Sequence, residues 1–124
     1  MTASSHSTVR QCDAVVVGAG IAGLYQMHRL RELGLSVQGI EAGTNVGGTW
    51  YWNRYPGARL DSQSELYQYW FSKELYESVP LSERFLAQPE LEKWLQGVAD
   101  KLDLKKSYQF STRVEAAIFN DETG

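Results

Sequence analysis

The sequence predicts an α/β fold, a parallel sheet joined by a crossover helix, from three consecutive segments. The apolar run Ala14–Val17 ends at glycines and is typical of a buried strand in a parallel sheet. Apolar residues then recur at every third position over 21–33, which predicts a helix that stops at Gly34. A second strand is predicted over 35–40 and closes at Glu41. These segments together have the size of one strand–helix–strand unit, about 30 residues.

Length and composition fit a globular domain and exclude several classes of protein. The 124 residues can bury a core, and 43% hydrophobic with 22% charged residues is typical of soluble proteins. A net charge of −3 without a long basic run argues against nucleic acid or a membrane surface as partner. No apolar run approaches the roughly 20 residues of a membrane span. One cysteine and two histidines predict no metal site and no internal disulfide, so we expect a cytoplasmic location.

A long loop and a second helix are predicted in the middle of the chain. Residues 42–65 are rich in Gly, Asn, Pro and Ser, and a loop of this length is uncommon unless it is functional. The type of segment 66–71 is ambiguous. Apolar residues from Leu91 to Leu102 follow helical spacing, and Pro89 suits the first turn of that helix.

Two further strands are predicted towards the end of the sequence. Tyr108 and Phe110 alternate with polar neighbours, which indicates a third strand, and 114–119 reads as a fourth. Residues 120–124 have turn chemistry. No returning strand follows that turn, so we expect the chain to stop where a hairpin would continue.

The glycines after the first strand match a nucleotide-binding fingerprint, Gly18-x-Gly20-x-x-Gly23. The first glycine permits the turn, the second admits a pyrophosphate, and the third lets helix and strand pack closely. The helix N-terminus offers free N–H groups to phosphates. Glu41 lies 18 residues after Gly23, where a carboxylate accepts hydrogen bonds from a ribose. The fold is therefore predicted to be Rossmann-like; the fingerprint alone does not separate FAD from NAD, and a mere packing turn is the alternative.

The loop that follows carries a more specific motif, Gly47-Gly48-x-Trp50-x-x-x-x-Tyr55-Pro56-Gly57-x-x-x-Asp61. This motif, placed after the glycine fingerprint, resembles the N-terminal signature of Baeyer–Villiger monooxygenases, the type I, class B flavoenzymes. The resemblance runs from about Asp13 to Val114. The related N-oxygenating class B enzymes share the Gly-Gly-x-Trp element but usually not its Tyr-Pro-Gly…Asp continuation.

The resemblance implies FAD and NADPH as cofactors and a small-molecule ketone and O2 as substrates. In such enzymes a flavin peroxide attacks the ketone, and the adduct rearranges to an ester or lactone. The ADP end of FAD is expected on the glycine fingerprint and Glu41, and the flavin along the second loop. The implied cofactor-binding residues are Gly18, Gly20, Ile21, Gly23, Glu41, Gly48, Thr49, Trp50, Trp52, Arg59, Asp61, Tyr67 and Val114.

The resemblance also implies a catalytic role for Asp61. In the family, the matching aspartate holds an arginine from much later in the chain, and that arginine stabilises the peroxide and its adduct. A carboxylate fixes a guanidinium well, and a fixed cation meets developing negative charge without reorganising. A helix N-cap is the alternative for Asp61. Arg59 is expected to face the nicotinamide cofactor.

Several side chains are given a structural interpretation from their residue type. Tyr55 and Trp70 are predicted to be core aromatics, and Pro56-Gly57 can be only a turn. His28 lies within the predicted helix and is interpreted as structural.

The sequence lacks the parts that would complete such a catalytic cycle. After Gly57 only Gly97 and Gly124 remain, so there is no second glycine fingerprint for NADPH. The family's Phe-x-Gly-x-x-x-His-x-x-x-Trp signature is also absent. We therefore predict a disordered polar N-terminus over 1–12 and the N-terminal portion of an FAD-binding domain over 13–124, with the remainder of the same enzyme as partner. The alternatives are an N- or S-oxygenating class B flavoprotein, or a non-catalytic module that binds FAD or ADP.

Overall fold

The computed structural model describes residues 9–124, and its sheet has three parallel strands in the order β1-β2-β3. These strands are β1 (Ala14–Val17), β2 (Val37–Ile40) and β3 (Tyr108–Gln109). Ala14 pairs with Val37 at one end of the β1–β2 ladder, and Gly39 pairs with Tyr108 across the next. The predicted α/β fold with a parallel sheet is confirmed, as are the first three strands.

Helix α1 (Ile21–Glu32) forms the crossover between β1 and β2. Its apolar stripe buries Leu24 and Met27 completely. The helix ends as predicted: Gly34 has φ +78° and donates its N–H to Arg31 O at 3.0 Å. A left-handed glycine just past the last turn satisfies carbonyls that the helix leaves unpaired.

Helix α4 (Gln88–Lys101) confirms the second predicted helix. It begins one residue before Pro89, which occupies the first turn, where a missing N–H breaks no helical bond. Leu91, Leu95 and Ala99 are fully buried along one face. This face supplies much of the core beside the sheet.

The long loop contains little regular structure, as predicted. It includes helix α2 (Thr49–Trp52). A 3₁₀ turn, Ser64–Leu66, begins at the end of the loop. Helix α3 (Lys73–Glu77) follows, and another 3₁₀ turn, Lys105–Ser107, precedes β3. The ambiguous segment over 66–71 has no helix or strand of its own beyond the end of the first 3₁₀ turn.

Backbone pairing fixes the second half of that loop against the entry to α4. Leu60 N–H donates to Leu86 O at 2.9 Å, and Gln88 N–H donates to Ala58 O at 3.0 Å. The buried Ser64 hydroxyl accepts from Leu86 N–H at 3.0 Å. The predicted turn at Pro56-Gly57 is present, with Ala58 N–H bonded to Tyr55 O and Gly57 at φ +82°.

Two predictions about strands are wrong. Residues 114–119 form no strand in the described part of the chain, and Ile118 is 91% exposed. Apolar alternation makes a strand only where a neighbouring strand supplies backbone partners. β1 was predicted to be buried, yet Val15 and Val17 are exposed and only Val16 is buried. Among the described residues, a helix covers one face of β1 but nothing covers the other.

Two predictions about aromatic burial are also wrong, because both residues lie on connections rather than on a covered element. Tyr55 and Trp70 are each 63% exposed, and the Trp70 ring lies 4.9 Å from that of Tyr76, which is itself exposed. His28 does have structural contacts: its ring stacks on Phe71 at 4.8 Å. Most of the predicted disordered N-terminus lies outside the described residues. Over 9–124, no helix is both long and apolar enough to cross a membrane.

Candidate functional site

The glycine turn after β1 is shaped by close backbone packing. Gly18 has φ +100° and donates its N–H to Ile40 O at 2.8 Å, so the turn stays joined to β2. A Cβ on Gly23 would overlap Gly18 O, which requires glycine where α1 crosses the turn. Gly20 is the N-cap of α1, and the first N–H groups of that helix have no partner within it.

The second glycine motif lies directly against the first. A Cβ on Gly48 would stand 2.6 Å from the Gly20 Cα, so the two backbones touch without side chains between them. Gly47 N–H donates to Ala19 O at 3.0 Å and fixes this approach. Gly48 has φ +53° and begins α2, which projects from the contact.

Glu41, directly after β2, bonds through its side chain to two separate backbone segments. It is 5% exposed, and its carboxylate accepts from Ala19 N–H at 2.7 Å and from Gly43 N–H at 2.7 Å. Two hydrogen bonds to the charged form compensate for burial. Each oxygen retains a second lone pair that can accept from a ribose hydroxyl.

Two adjoining clefts open over these glycines. They share Val17, Gly18, Gly20, Gly48 and Thr49, and their volumes are about 390 Å³ and about 320 Å³. The sequence-predicted cofactor residues that line one or both are Gly18, Gly20, Ile21, Gly23, Glu41, Gly48, Thr49, Trp52, Tyr67 and Val114. The glycine backbone, the Glu41 carboxylate and aromatic side chains are thus brought together at the carboxyl ends of the strands.

Three predicted residues line neither cleft. Trp50 is 7% exposed and donates its indole N–H at 3.0 Å to the hydroxyl of Tyr67, which does line one. Arg59 pairs with Glu83 and also donates to Phe85 O. Asp61 is exposed, makes no side-chain hydrogen bond to a described residue and caps no helix.

Side chains from α4 hold α2 in place, and nothing in the sequence beyond helical amphipathicity points to them. Gln88 is 7% exposed and donates to Trp50 O at 2.6 Å and to Glu92 Oε2 at 2.9 Å. Glu92 also pairs with Arg54, just after α2. These contacts position Trp50 and Trp52 relative to the clefts.

Two buried tyrosines, which were not predicted as functional from the sequence, donate to backbone carbonyls, one in the glycine turn and one in the first residue of α1. Tyr108 donates its hydroxyl to Gly18 O at 3.1 Å, and Tyr69 donates to Ile21 O at 2.5 Å. Burial raises the pKa of Tyr69, helped by neighbouring Tyr67 and Tyr108. Burial and the nearby Glu41 carboxylate raise the pKa of Tyr108. Both hydroxyls therefore remain protonated donors at neutral pH.

A separate groove of about 470 Å³ lies between α3 and α4. Its wall includes Leu75, Trp94 and Val98, together with the charged Lys93 and Glu90. None of the cofactor residues predicted from the sequence lines this groove.

Comparison with known proteins identifies relatives of this arrangement. The chain is 50% identical over 110 residues to an acetone monooxygenase (methyl acetate-forming) from Gordonia sp. (strain TY-5), a match covering 89% of this chain and 21% of the relative. It is 46% identical over 110 residues to a phenazine N-monooxygenase from Lysobacter antibioticus, covering 88% and 20%. The crystal structure of OTEMO complexed with FAD and NADP matches with TM-score 0.84 and 46% identity, covering 93% and 22%.

The chain therefore spans about a fifth of the length of these relatives. The resemblance to the N-terminal part of Baeyer–Villiger monooxygenases, predicted from the two glycine motifs, is confirmed. Residues 16–77, half of the chain, match the family model of the NAD(P)-binding Rossmann-like domain. By this match and by its parallel sheet and glycine turn, the chain belongs to the NAD(P)-binding Rossmann-like domain family.

Proposed function

We propose that these residues are the FAD-binding part of an NADPH- and O2-dependent monooxygenase that converts ketones to esters or lactones. The observation that carries the proposal is the backbone contact between Gly20 and Gly48, because it brings the nucleotide fingerprint and the monooxygenase-like loop into one site. Similarity to an acetone monooxygenase supports the reaction class.

The residues present fit the ADP end of FAD. Gly18 and Gly20 leave the backbone of the turn open to a pyrophosphate, and the N-terminus of α1 favours negative charge there. Glu41 is proposed to accept from a ribose diol, and its charge would disfavour a 2′-phosphate at that position. Val114 lines the same cleft as Glu41 and is proposed to meet the adenine region.

The flavin end is assigned to the side chains beyond Gly48. Thr49, Trp52 and Tyr67 line the clefts, and the indole N–H of Trp50 donates to the Tyr67 hydroxyl. When bound, FAD supplies the redox and oxygen-transfer chemistry, whereas the protein orients it and excludes water. The exposed indole of Trp52 is available to pack on a planar ring.

Asp61 is proposed to act through an arginine supplied by the remainder of the enzyme. Its carboxylate is exposed and makes no ion pair with a described residue, so it is available for a guanidinium. Arg59 is proposed to face NADPH, which requires its pair with Glu83 to open. The further proposed partners are a ketone and O2. A cytoplasmic location is proposed from the single, exposed thiol of Cys12.

The first test is the flavin absorbance of purified protein, measured for this chain and for a form that extends beyond residue 124. We expect the longer form to be yellow with FAD, to bleach with NADPH and to consume O2 when given a ketone. We expect the short chain to bind FAD weakly or not at all. A colourless longer form that FAD does not restore would refute the proposal. Tight FAD binding by the short chain alone would favour a binding module instead.

An N-oxygenating enzyme is the second candidate, and the similarity to a phenazine N-monooxygenase favours it. The two candidates share the same cofactor chemistry and differ in product. The longer form should therefore be incubated with NADPH and either a cyclic ketone or an aromatic N-heterocycle. A lactone supports the first candidate, and an N-oxide without lactone supports the second.

A further inference from the structure

We infer that Tyr108 is a positioning residue that, with Glu41, fixes the orientation of the Gly18–Ala19 peptide in the nucleotide-binding turn. The Gly18 carbonyl and the Ala19 N–H belong to one peptide group. Tyr108 donates to the carbonyl at 3.1 Å, and Glu41 accepts from the N–H at 2.7 Å. Side chains from two different strand ends therefore hold opposite ends of the same peptide.

Tyr108 is itself held rigidly enough for this role. It is 7% exposed, and its ring occupies the space left by Gly39 on the neighbouring strand, where any Cβ would overlap the ring. The same pair of residues is in register across the β2–β3 ladder. The hydroxyl also lies near Gly23, because a Cβ there would approach it to 3.4 Å.

The turn needs such a restraint because glycine permits alternative backbone conformations. Gly18 has φ +100°, and a glycine peptide can rotate where other residues cannot. Rotation of the Gly18–Ala19 peptide would exchange the directions of its carbonyl and its N–H. The carbonyl would then face the Glu41 carboxylate and repel it, which would disturb the proposed ribose acceptor and weaken nucleotide binding.

Tyr69 provides a matched control for Tyr108. It is also 7% exposed, and its hydroxyl also donates to a backbone carbonyl, that of Ile21. That carbonyl belongs to the first residue of α1, and the helix supplies its own i+4 donor to it. Tyr69→Phe therefore removes a comparable buried hydrogen bond without releasing the Gly18–Ala19 peptide.

The test compares Tyr108→Phe and Tyr69→Phe by amide hydrogen exchange in the chain without ligand, and by titration of the longer form with ADP. Tyr108→Phe should speed exchange of the Ala19 amide and weaken ADP binding roughly 3- to 10-fold. Tyr69→Phe should leave both nearly unchanged at a similar loss of global stability. Equal exchange of Ala19 in the two variants would overturn the inference.

Glu41→Ala provides a second route if Tyr108→Phe does not fold. It removes the acceptor of the Ala19 N–H, so it should speed exchange of that amide. An unaffected Ala19 amide in Glu41→Ala would also overturn the inference. The ligand readout rests on the proposed function, whereas the exchange readout does not. Failure of the longer form to bind FAD would therefore refute the proposed function and leave the peptide restraint to be decided by exchange.

Discussion

Gly48 and Gly20, 28 residues apart, touch through their backbones, so that a Cβ on Gly48 would lie 2.6 Å from the Gly20 Cα. Each glycine belongs to a different sequence motif, and each begins a helix. The contact places the N-termini of α1 and α2 beside the same clefts. The relationship between the motifs is therefore a physical contact rather than proximity in the sequence alone.

Gly48→Ala should destabilise the protein by about 1–3 kcal/mol. The new Cβ meets the Gly20 backbone, which cannot rotate away, and φ +53° is unfavourable for alanine. Urea denaturation measures the change. Gly97→Ala is the control: its Cβ would meet nothing within 4 Å inside α4, so stability should rise by up to about 1 kcal/mol. Equal effects of the two substitutions would contradict the proposed contact.

Glu41→Gln should lower the free energy of unfolding by about 1–3 kcal/mol and weaken ADP binding. A glutamine offers one carbonyl oxygen, so its NH2 group would face the Ala19 or the Gly43 N–H. Urea denaturation and calorimetric titration with ADP check the two effects. Glu65 is exposed, so Glu65→Gln is the matched control. It should change the free energy of unfolding by less than about 0.5 kcal/mol. If Glu41→Gln has the wild-type free energy of unfolding, the two hydrogen bonds of the Glu41 carboxylate do not contribute to stability.

Gln88→Ala should lower the free energy of unfolding by about 1–2 kcal/mol. The substitution removes the buried side chain that donates to the Trp50 carbonyl. Loosening of α2 should also expose Trp50 to acrylamide quenching. Gln96→Ala, on the same helix, removes only a part-buried bond to Glu92 and serves as control. If the two substitutions are equally mild, Gln88 does not position α2.

Alkaline pH should destabilise the protein through Tyr69 and Tyr108. Burial raises both pKa values above the ordinary value of 10.0, so the folded tyrosines stay protonated after unfolded ones begin to ionise. Their contribution is complete below pH 10 and is lost as pH rises above it. Unfolding free energies at pH 8 and pH 11, compared with those of the Tyr69→Phe/Tyr108→Phe variant, measure this. The variant should lose less stability; an equal loss would assign the effect to other groups.

Sequence periodicity determined β1, α1, β2 and α4, because each depends on interactions within one segment or between adjacent segments. Gly34 ends α1 through its own backbone, and Pro89 sits in the first turn of α4 through its own missing N–H. The glycine fingerprint and Glu41 were likewise predicted from the sequence, because a turn, a helix start and a strand end depend on the residue types found there.

Only the tertiary structure decided which distant groups meet. The pairing of Tyr108 with Gly18, 90 residues away, depends on β3 lying beside β2, and that of Gln88 with Trp50 on the path of the long loop. The strand predicted over 114–119 does not form for the same reason. Periodicity indicates which conformation a segment favours but not which segment pairs with it. Residue type thus determined local conformation, whereas side-chain roles required the folded arrangement, because burial and hydrogen bonding are properties of pairs of segments.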